Sequence, residues 1–520
     1  MRTNHDSDTI ELETSAEADV SAPLTSRRRF FAMGAGAAAA IATARTAEAQ
    51  TPRGRPAPFS PTTPVGSQLD ASADWKDPLL RLVRRITMGI NPEEVALARK
   101  LGYVGYLNYH LDAASIDDSA AEAAIAMALP MTNMTAAQLA LQDGGEVQNQ
   151  ASDQSLYRAA FSKRQLRERM VDFWTDHFTI YYTKVGYLQV VFDRDVIRAN
   201  ALSSFPQLLK ATAHSAAMLV YLDQNRSQSP TPNQNYAREI MELHTLGVNG
   251  GYSQTDVAEL SRILTGWTTT GAGAFTFNPN MHDRGAKTYL GRAFPAMVAA
   301  TAAATQMAEG EAAIQMLVDH PSTAAYISLK LARWLLAYTP PQSVVDATTA
   351  VYLSTGGDIS SMIRTILTSK NLMASPAKYK RPFHLAASTL RAMGAQVASV
   401  RSVRQRADQM GMPIYFWQQP NGYPDRVDWW SGLVLSRWSF MTDVSNRNTA
   451  AQTRIDTAPF RAVDTADGVV AQINARMYGG EIPLVLKSGL LTYLKAGTYS
   501  DARVRETLGL AASASQFQWY

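Results

Sequence analysis

Between Asn235 and Trp267 the chain reads "NYAREIMELHTLGVNGGYSQTDVAELSRILTGW", a run dense in acids, bases and cations. Glu239, Glu242 and His244 are side chains that move protons or ligate a divalent metal. Arg238 adds a cation able to orient an anionic group. A zinc-protease helix presents two His four residues apart, and this one has only His244. At about 100° per residue, Glu239 and Glu242 lie roughly 60° apart on a helix, while His244 falls roughly 140° from Glu239. Convergence therefore requires a site at the C-terminal end of this helix, where Gly247 bends the chain and a later loop approaches. That loop carries His282 and Asp283, which either share one cation or act as an Asp that orients an imidazole. The expected catalytic set is Glu239, Glu242, His282, Asp283 and Arg238, with a divalent metal on Glu239, His244, His282 and Asp283.

A plainer reading competes with it. Ser253 to Asp256 is a capping box, Val257, Leu260, Leu264 and Trp267 form a buried stripe, and Gly247, Gly250 and Gly251 turn the chain. The two Glu would then pair with Arg238 and Arg262 on the surface of a capped helical hairpin. His177 lies on an apolar stripe beside Phe173 and Phe178, a setting that suits a hydrogen-bonded core histidine better than a ligand. Trp417, Trp429 and Trp430 with Tyr415 and Tyr423 make an aromatic-rich segment suited to packing, or to stacking on sugar rings. No Gly-x-Ser-x-Gly elbow, Walker loop or dinucleotide fingerprint is present. Cysteine is absent, which removes disulfides, thiolate metal sites and a Cys nucleophile.

The elements that must carry these residues read as helices. "DPLLRLVRRITMG" places Leu79, Leu82, Val83 and Ile86 at helical spacing from about Asp77, and Asn91-Pro92 restarts the pattern. "SKRQLRERMVDFWTDHFTIYY" sets Leu166, Met170, Phe173 and His177 on one stripe, with Arg and Asp on the other side. "FPQLLKATAHSAAMLVYL" reads as one nearly all-apolar helix. The strand signals "GAFTFNP" and "KTYLGRAF" suggest one small hairpin. The expectation is a mainly α protein, a single large helical domain over residues 77–520.

The first 49 residues read as a twin-arginine signal peptide: Ser26-Arg27-Arg28-Arg29-Phe30-Phe31, an Ala-rich stretch, then Ala47-Glu48-Ala49 as a cleavage site. Residues 50–76, with five Pro in thirteen positions, read as an extended tether. Localisation is expected to be periplasmic or secreted. Residues 1–49 hold five Arg and seven acidic residues, so the remainder carries 44 basic and 38 acidic groups. That mild excess does not point to nucleic acid and is compatible with an anionic envelope polymer.

The central block, with "MVDFWTDHFT", "HDRGAKTYLG" and "QMGMPIYFWQQPNGYPDRVDWWSGLVLSRW", resembles the bacterial domain-of-unknown-function 1800 family over essentially the whole chain after the tether. The resemblance implies export and an exported sulfatase-like partner, and no established reaction. One departure is visible: "GMPIYFWQQPNGY" stands where a Gln-x-Pro-Phe-x-Pro-Pro type of stretch and Asn-Gly-Trp are expected. The leading expectation is an exported hydrolase, carboxylate- or metal-dependent, acting on an envelope or extracellular polymer. The alternatives are a non-catalytic partner of a sulfatase-like protein or envelope glycan, and a cofactor-loaded redox protein.

Overall fold

The computed structural model describes residues 75–450 and 452–520, and the expected signal peptide and most of the tether lie outside them. Trp75, two residues before the expected start, is already packed. Its ring is buried under the Arg84 guanidinium at 3.8 Å, and the amides of Lys76 and Asp77 both donate to Glu481 Oε1 at 2.9 Å.

The chain is mainly α-helical. Helix α1 (Pro78–Ile86) starts where Asp77 accepts from the Leu79 and Leu80 amides, with proline in the first turn. It buries Leu80, Leu82, Val83 and Ile86, each contributing about 2 kcal/mol of apolar burial. Helix α2 (Gly144–Phe161) and helix α3 (Gln165–His177) follow, then α4 (Pro321–Leu335), α5 (Pro382–Ala392), α6 (Val434–Ser445) and α7 (Asp501–Ser513). Helix α6 packs along α7, and α2 packs on α5. The apolar stretch 205–221 is two helices, Phe205–Ala213 and Ala216–Tyr221. The first ends at His214, whose imidazole turns out to meet Glu311 at 2.6 Å.

The strand expectation needs correcting. Among the described residues there are three two-stranded antiparallel ribbons: β1 (Trp267–Thr269) with β2 (Phe275–Phe277), β3 (Lys287–Tyr289) with β4 (Arg292–Phe294), and β5 (Gln396–Val397) with β6 (Thr453–Arg454). "GAFTF" pairs backward with Trp267–Thr269, so it does not pair with "KTY", which folds on itself through Leu290-Gly291.

Two large apolar clusters and one small one make the core. One spans residues of the range 80–372, and the second joins Trp75 and α2 to residues 377–519. The small third gathers Leu139, Val147, Ala151, Tyr182, Val190 and Tyr415. A cavity of about 60 Å³ opens where residues of all three meet: Val171 and Phe192 from the first, Met412 from the second, Tyr415 from the third.

Candidate active site

Glu168, Asp172 and Asp176 stand at i, i+4 and i+8 on α3, so they share one face, and all three line this cavity. Each is met by an arginine brought from elsewhere. Arg198 lies on a π-helical stretch, Phe192–Arg198, and contacts Glu168 Oε2 at 2.7 Å and Asp193 Oδ2 at 2.6 Å. Arg381 caps the start of α5; its Nη2 donates to Asp172 Oδ1 at 2.7 Å and its Nη1 donates to Asp176. Arg381 is itself buried, stacked 4.7 Å over Trp334. Burial pulls the Arg198 and Arg381 guanidiniums down, but the carboxylates around each outweigh it and hold both above the ordinary arginine value.

Asp176 differs from an ordinary surface carboxylate. Burial pushes its carboxyl up to about 6, with the Asp172 charge adding to the rise, against the opposing pull of Arg381 and of a hydrogen bond from the Tyr423 amide. An acid with that value exchanges its proton near neutral pH.

The opposite wall comes from residues 412–423. Tyr415 adopts φ 69°, a left-handed conformation that costs a bulky residue about 1–3 kcal/mol and is held by its surroundings. The Tyr182 amide donates to Tyr415 O at 3.0 Å, and the Tyr415 hydroxyl meets Ser155 Oγ at 2.6 Å. Trp417 lies 4.8 Å from Tyr423 and 6.2 Å from the exposed Trp429, so an aromatic platform runs from the cavity to the surface. Gln189 Oε1, buried in the cavity lining, has no hydrogen-bond partner, and Asp172 Oδ2 has none either.

The residues expected from sequence to form the site are dispersed. Arg238 donates to Gln254 Oε1 at 3.0 Å. Glu239 and Glu242 are half-buried beside Tyr252, whose phenol is pushed up to about 12 by burial and then by these charges. Asp283 faces Arg262 at 2.8 Å, which also holds Glu259. Burial raises the Asp283 carboxyl, but Arg262 and the Gly285 amide outweigh it and leave it low. His282 turns the other way: Nδ1–H donates to Thr265 O at 2.8 Å, and Nε2 lies 3.0 Å from Glu309, which is paired with buried Lys287. His244 is buried against Phe178, 5.0 Å between rings. The metal set Glu239, His244, His282 and Asp283 is thus not assembled, and among the described residues no three His, Asp or Glu side chains gather as a metal site.

The helix geometry behind that expectation also changes. Asn235–Glu239 is α, but Ile240–Thr245 is π, with Leu246 N donating to Met241 O at 2.9 Å and Thr245 Oγ1 to Ile240 O at 2.6 Å. In a π turn the fifth residue, not the fourth, returns to the starting face, so His244 swings back toward the side of Glu239. It then enters the core. There His177 donates from Nε2 to His244 O at 3.1 Å, as a hydrogen-bonded core histidine. Burial holds both imidazoles low, His244 down to about 3.

Sequence reasoning missed Glu168, Asp172, Asp176, Arg198 and Arg381. The available signal was three acids repeating every four residues on the helix whose opposite face carries the apolar stripe. Comparison with known proteins adds placement: residues 81–519 match the family described as "Protein of unknown function (DUF1800)". No curated protein and no solved structure matches.

Proposed function

Because the chain belongs to the DUF1800 family, whose description assigns no activity, we propose its function from the cavity: an exported hydrolase that uses carboxylate acid/base chemistry on an envelope or extracellular polymer. The observation that carries this reading is Asp176, a carboxyl raised to about 6 in an aromatic-walled cavity beside the Asp172 charge. Protonated Asp176 gives its proton to the leaving oxygen as the scissile bond opens. The resulting carboxylate takes a proton from the attacking water, whose hydroxyl completes the other product, so one water is added and the acid is restored. A cavity of about 60 Å³ suits the end or a substituent of a chain, with the remainder lying on Trp417 and Trp429. Export is supported by the Arg27-Arg28 signal pattern.

The test is release of soluble fragments from purified envelope polymers, followed by mass spectrometry. Wild type is expected to release product with an apparent pKa about 6, and Asp176→Asn to lose about a hundred-fold or more in rate. Absence of release by wild type, or equal release by Asp176→Asn, ends this reading.

A second reading rests on the exposed surface that continues from Trp429. Trp429, Leu435 and Trp438 are 53%, 78% and 49% exposed within one short stretch, an apolar patch suited to docking the exported sulfatase-like partner. Co-purification with that partner, lost in Leu435→Glu, supports it; co-purification unchanged by that substitution removes it.

A further inference from the structure

Resting on the proposal that this cavity receives part of a polymer, we propose that the group it takes is the primary ammonium of an amino sugar. The cavity lining holds two acceptor oxygens that receive no hydrogen bond in the described protein. Asp172 is anchored through Oδ1 to Arg381 Nη2 at 2.7 Å, while its Oδ2 has no hydrogen-bond partner. Arg169 Nη1 lies 3.6 Å from Oδ2, an ion-pair distance too long for a hydrogen bond. The Asp172 side chain is only 7% exposed, so bulk water does not replace the missing donor. Gln189, 1% exposed, adds an amide oxygen with no hydrogen-bond partner from the same lining. Buried polar atoms left this way each cost about 1–3 kcal/mol, which a bound group recovers.

The complement of a carboxylate oxygen and an amide oxygen is a donor, and a cationic donor forms the stronger bond. The lining favours a cation for a second reason. Glu168, Asp172 and Asp176 line the cavity, and Arg198 and the two Nη groups of Arg381 donate to those carboxylates and to Asp193, while Arg381 Nε has no hydrogen-bond partner. Aromatic rings of Phe192, Phe383, Tyr415, Trp417 and Tyr423 complete the wall, and their faces attract an ammonium.

Size and shape select the carrier. About 60 Å³ accommodates an ammonium and its attached carbon but not a pyranose ring. The ring is left at the mouth, where Trp417 is half-buried and Trp429, 6.2 Å beyond it, is exposed. The two indole planes stand 76° apart, so a sugar ring stacks on one indole face while the other indole flanks it. A flexible alkyl amine, such as a lysine side chain, gains nothing from that platform.

The experiment is calorimetric titration of Asp176→Asn, which is inert under the acid/base reading, so that binding is read without turnover. The probes are a glucosamine hexamer, the matched fully N-acetylated hexamer and a lysine-containing peptide. The glucosamine oligomer is expected to bind about ten-fold tighter than the acetylated one, the difference of one charge-assisted hydrogen bond. Repeating the titration with Trp417→Ala is expected to weaken it, and adding Asp172→Asn to abolish the preference for the amine. Equal binding of the two oligomers, or no binding of either, overturns the proposal, and neither outcome depends on any variant at Asp172 folding. A lysine peptide that binds as tightly as the glucosamine oligomer overturns the amino-sugar assignment. Preference for the amine without wild-type turnover would sink the hydrolase reading and leave this inference standing; Asp176-dependent turnover without the preference would do the reverse.

Discussion

Gly422 lies against the backbone of Asp176 so closely that a Cβ built on it would overlap the Asp176 carbonyl oxygen, and Gly422 itself sits at φ +74°. The contact joins the end of the carboxylate helix to the aromatic wall. The next amide along, that of Tyr423, donates to Asp176 Oδ1 at 3.2 Å. One glycine therefore sets both the distance across the cavity and the hydrogen bond on its acid.

Gly422→Ala is expected to destabilise the protein by about 2 kcal/mol or more, since it adds left-handed strain to a backbone clash. Thermal melting measures it. A melting point unchanged from wild type would show that the wall segment can move off Asp176 without cost.

Arg381→Lys is expected to cost about 3 kcal/mol or more, even though charge is kept. The guanidinium reaches Asp172 and Asp176 with two different nitrogens, and a single ammonium does not reproduce that fork. Denaturant unfolding reads the loss. A variant as stable as wild type would mean that the two carboxylates do not depend on a forked partner.

Much of this fold was legible because its signals are local. Asp77-Pro78 starts a helix in the structure as its types and spacing predict, and Ser253 with Asp256 forms the expected capping box. The face of α3 carrying Leu166, Met170 and Phe173 was equally legible as buried. Its other face was not. Acids spaced four residues apart with arginines on either side of the first have the pattern of a solvated surface, and what meets Asp172 and Asp176 is Arg381, more than 200 residues later in the chain. The π stretch Ile240–Thr245 was illegible for a related reason. Its residues suit an α-helix as well, and the fifth-residue hydrogen bonds are selected by packing around His244. The pair His282-Asp283 was legible as a loop pair but not as two side chains turned to different partners, Glu309 and Arg262.

Export is expected to depend on Arg27 and Arg28 as guanidinium groups. Replacing both with Lys should leave unprocessed precursor in the cytoplasm, while wild type matures with Gln50 at its N-terminus. Fractionation with terminal sequencing decides it; normal export of the double variant would end the twin-arginine assignment.

Stability in acid is expected to depend on the buried histidines, among them the pair His177 and His244. Both imidazoles are held low by burial, so the folded protein refuses protons that the unfolded chain accepts below about pH 6.5. Their contribution is fully present above that pH and is lost as pH falls toward about 3, where His244 finally titrates in the folded state. Asp176 works in the opposite sense over part of the range. Its carboxyl is raised to about 6, so its contribution is present below the ordinary carboxylate value and is lost as pH rises to about 6. Between pH 6 and 4 these two histidines and His384, held low by burial in the same way, oppose Asp176 and Asp408, whose carboxyl burial also raises to about 6, and the net slope favours unfolding on acidification by about 1.4 kcal/mol per pH unit, the balance of one proton. Replacing His244 with Asn removes one of the three histidines, which should leave the slope near zero in that window, whatever the variant's absolute stability. Denaturant unfolding at a series of pH values measures both slopes, and an unchanged slope in His244→Asn would show that His244 accepts its proton without leaving the core.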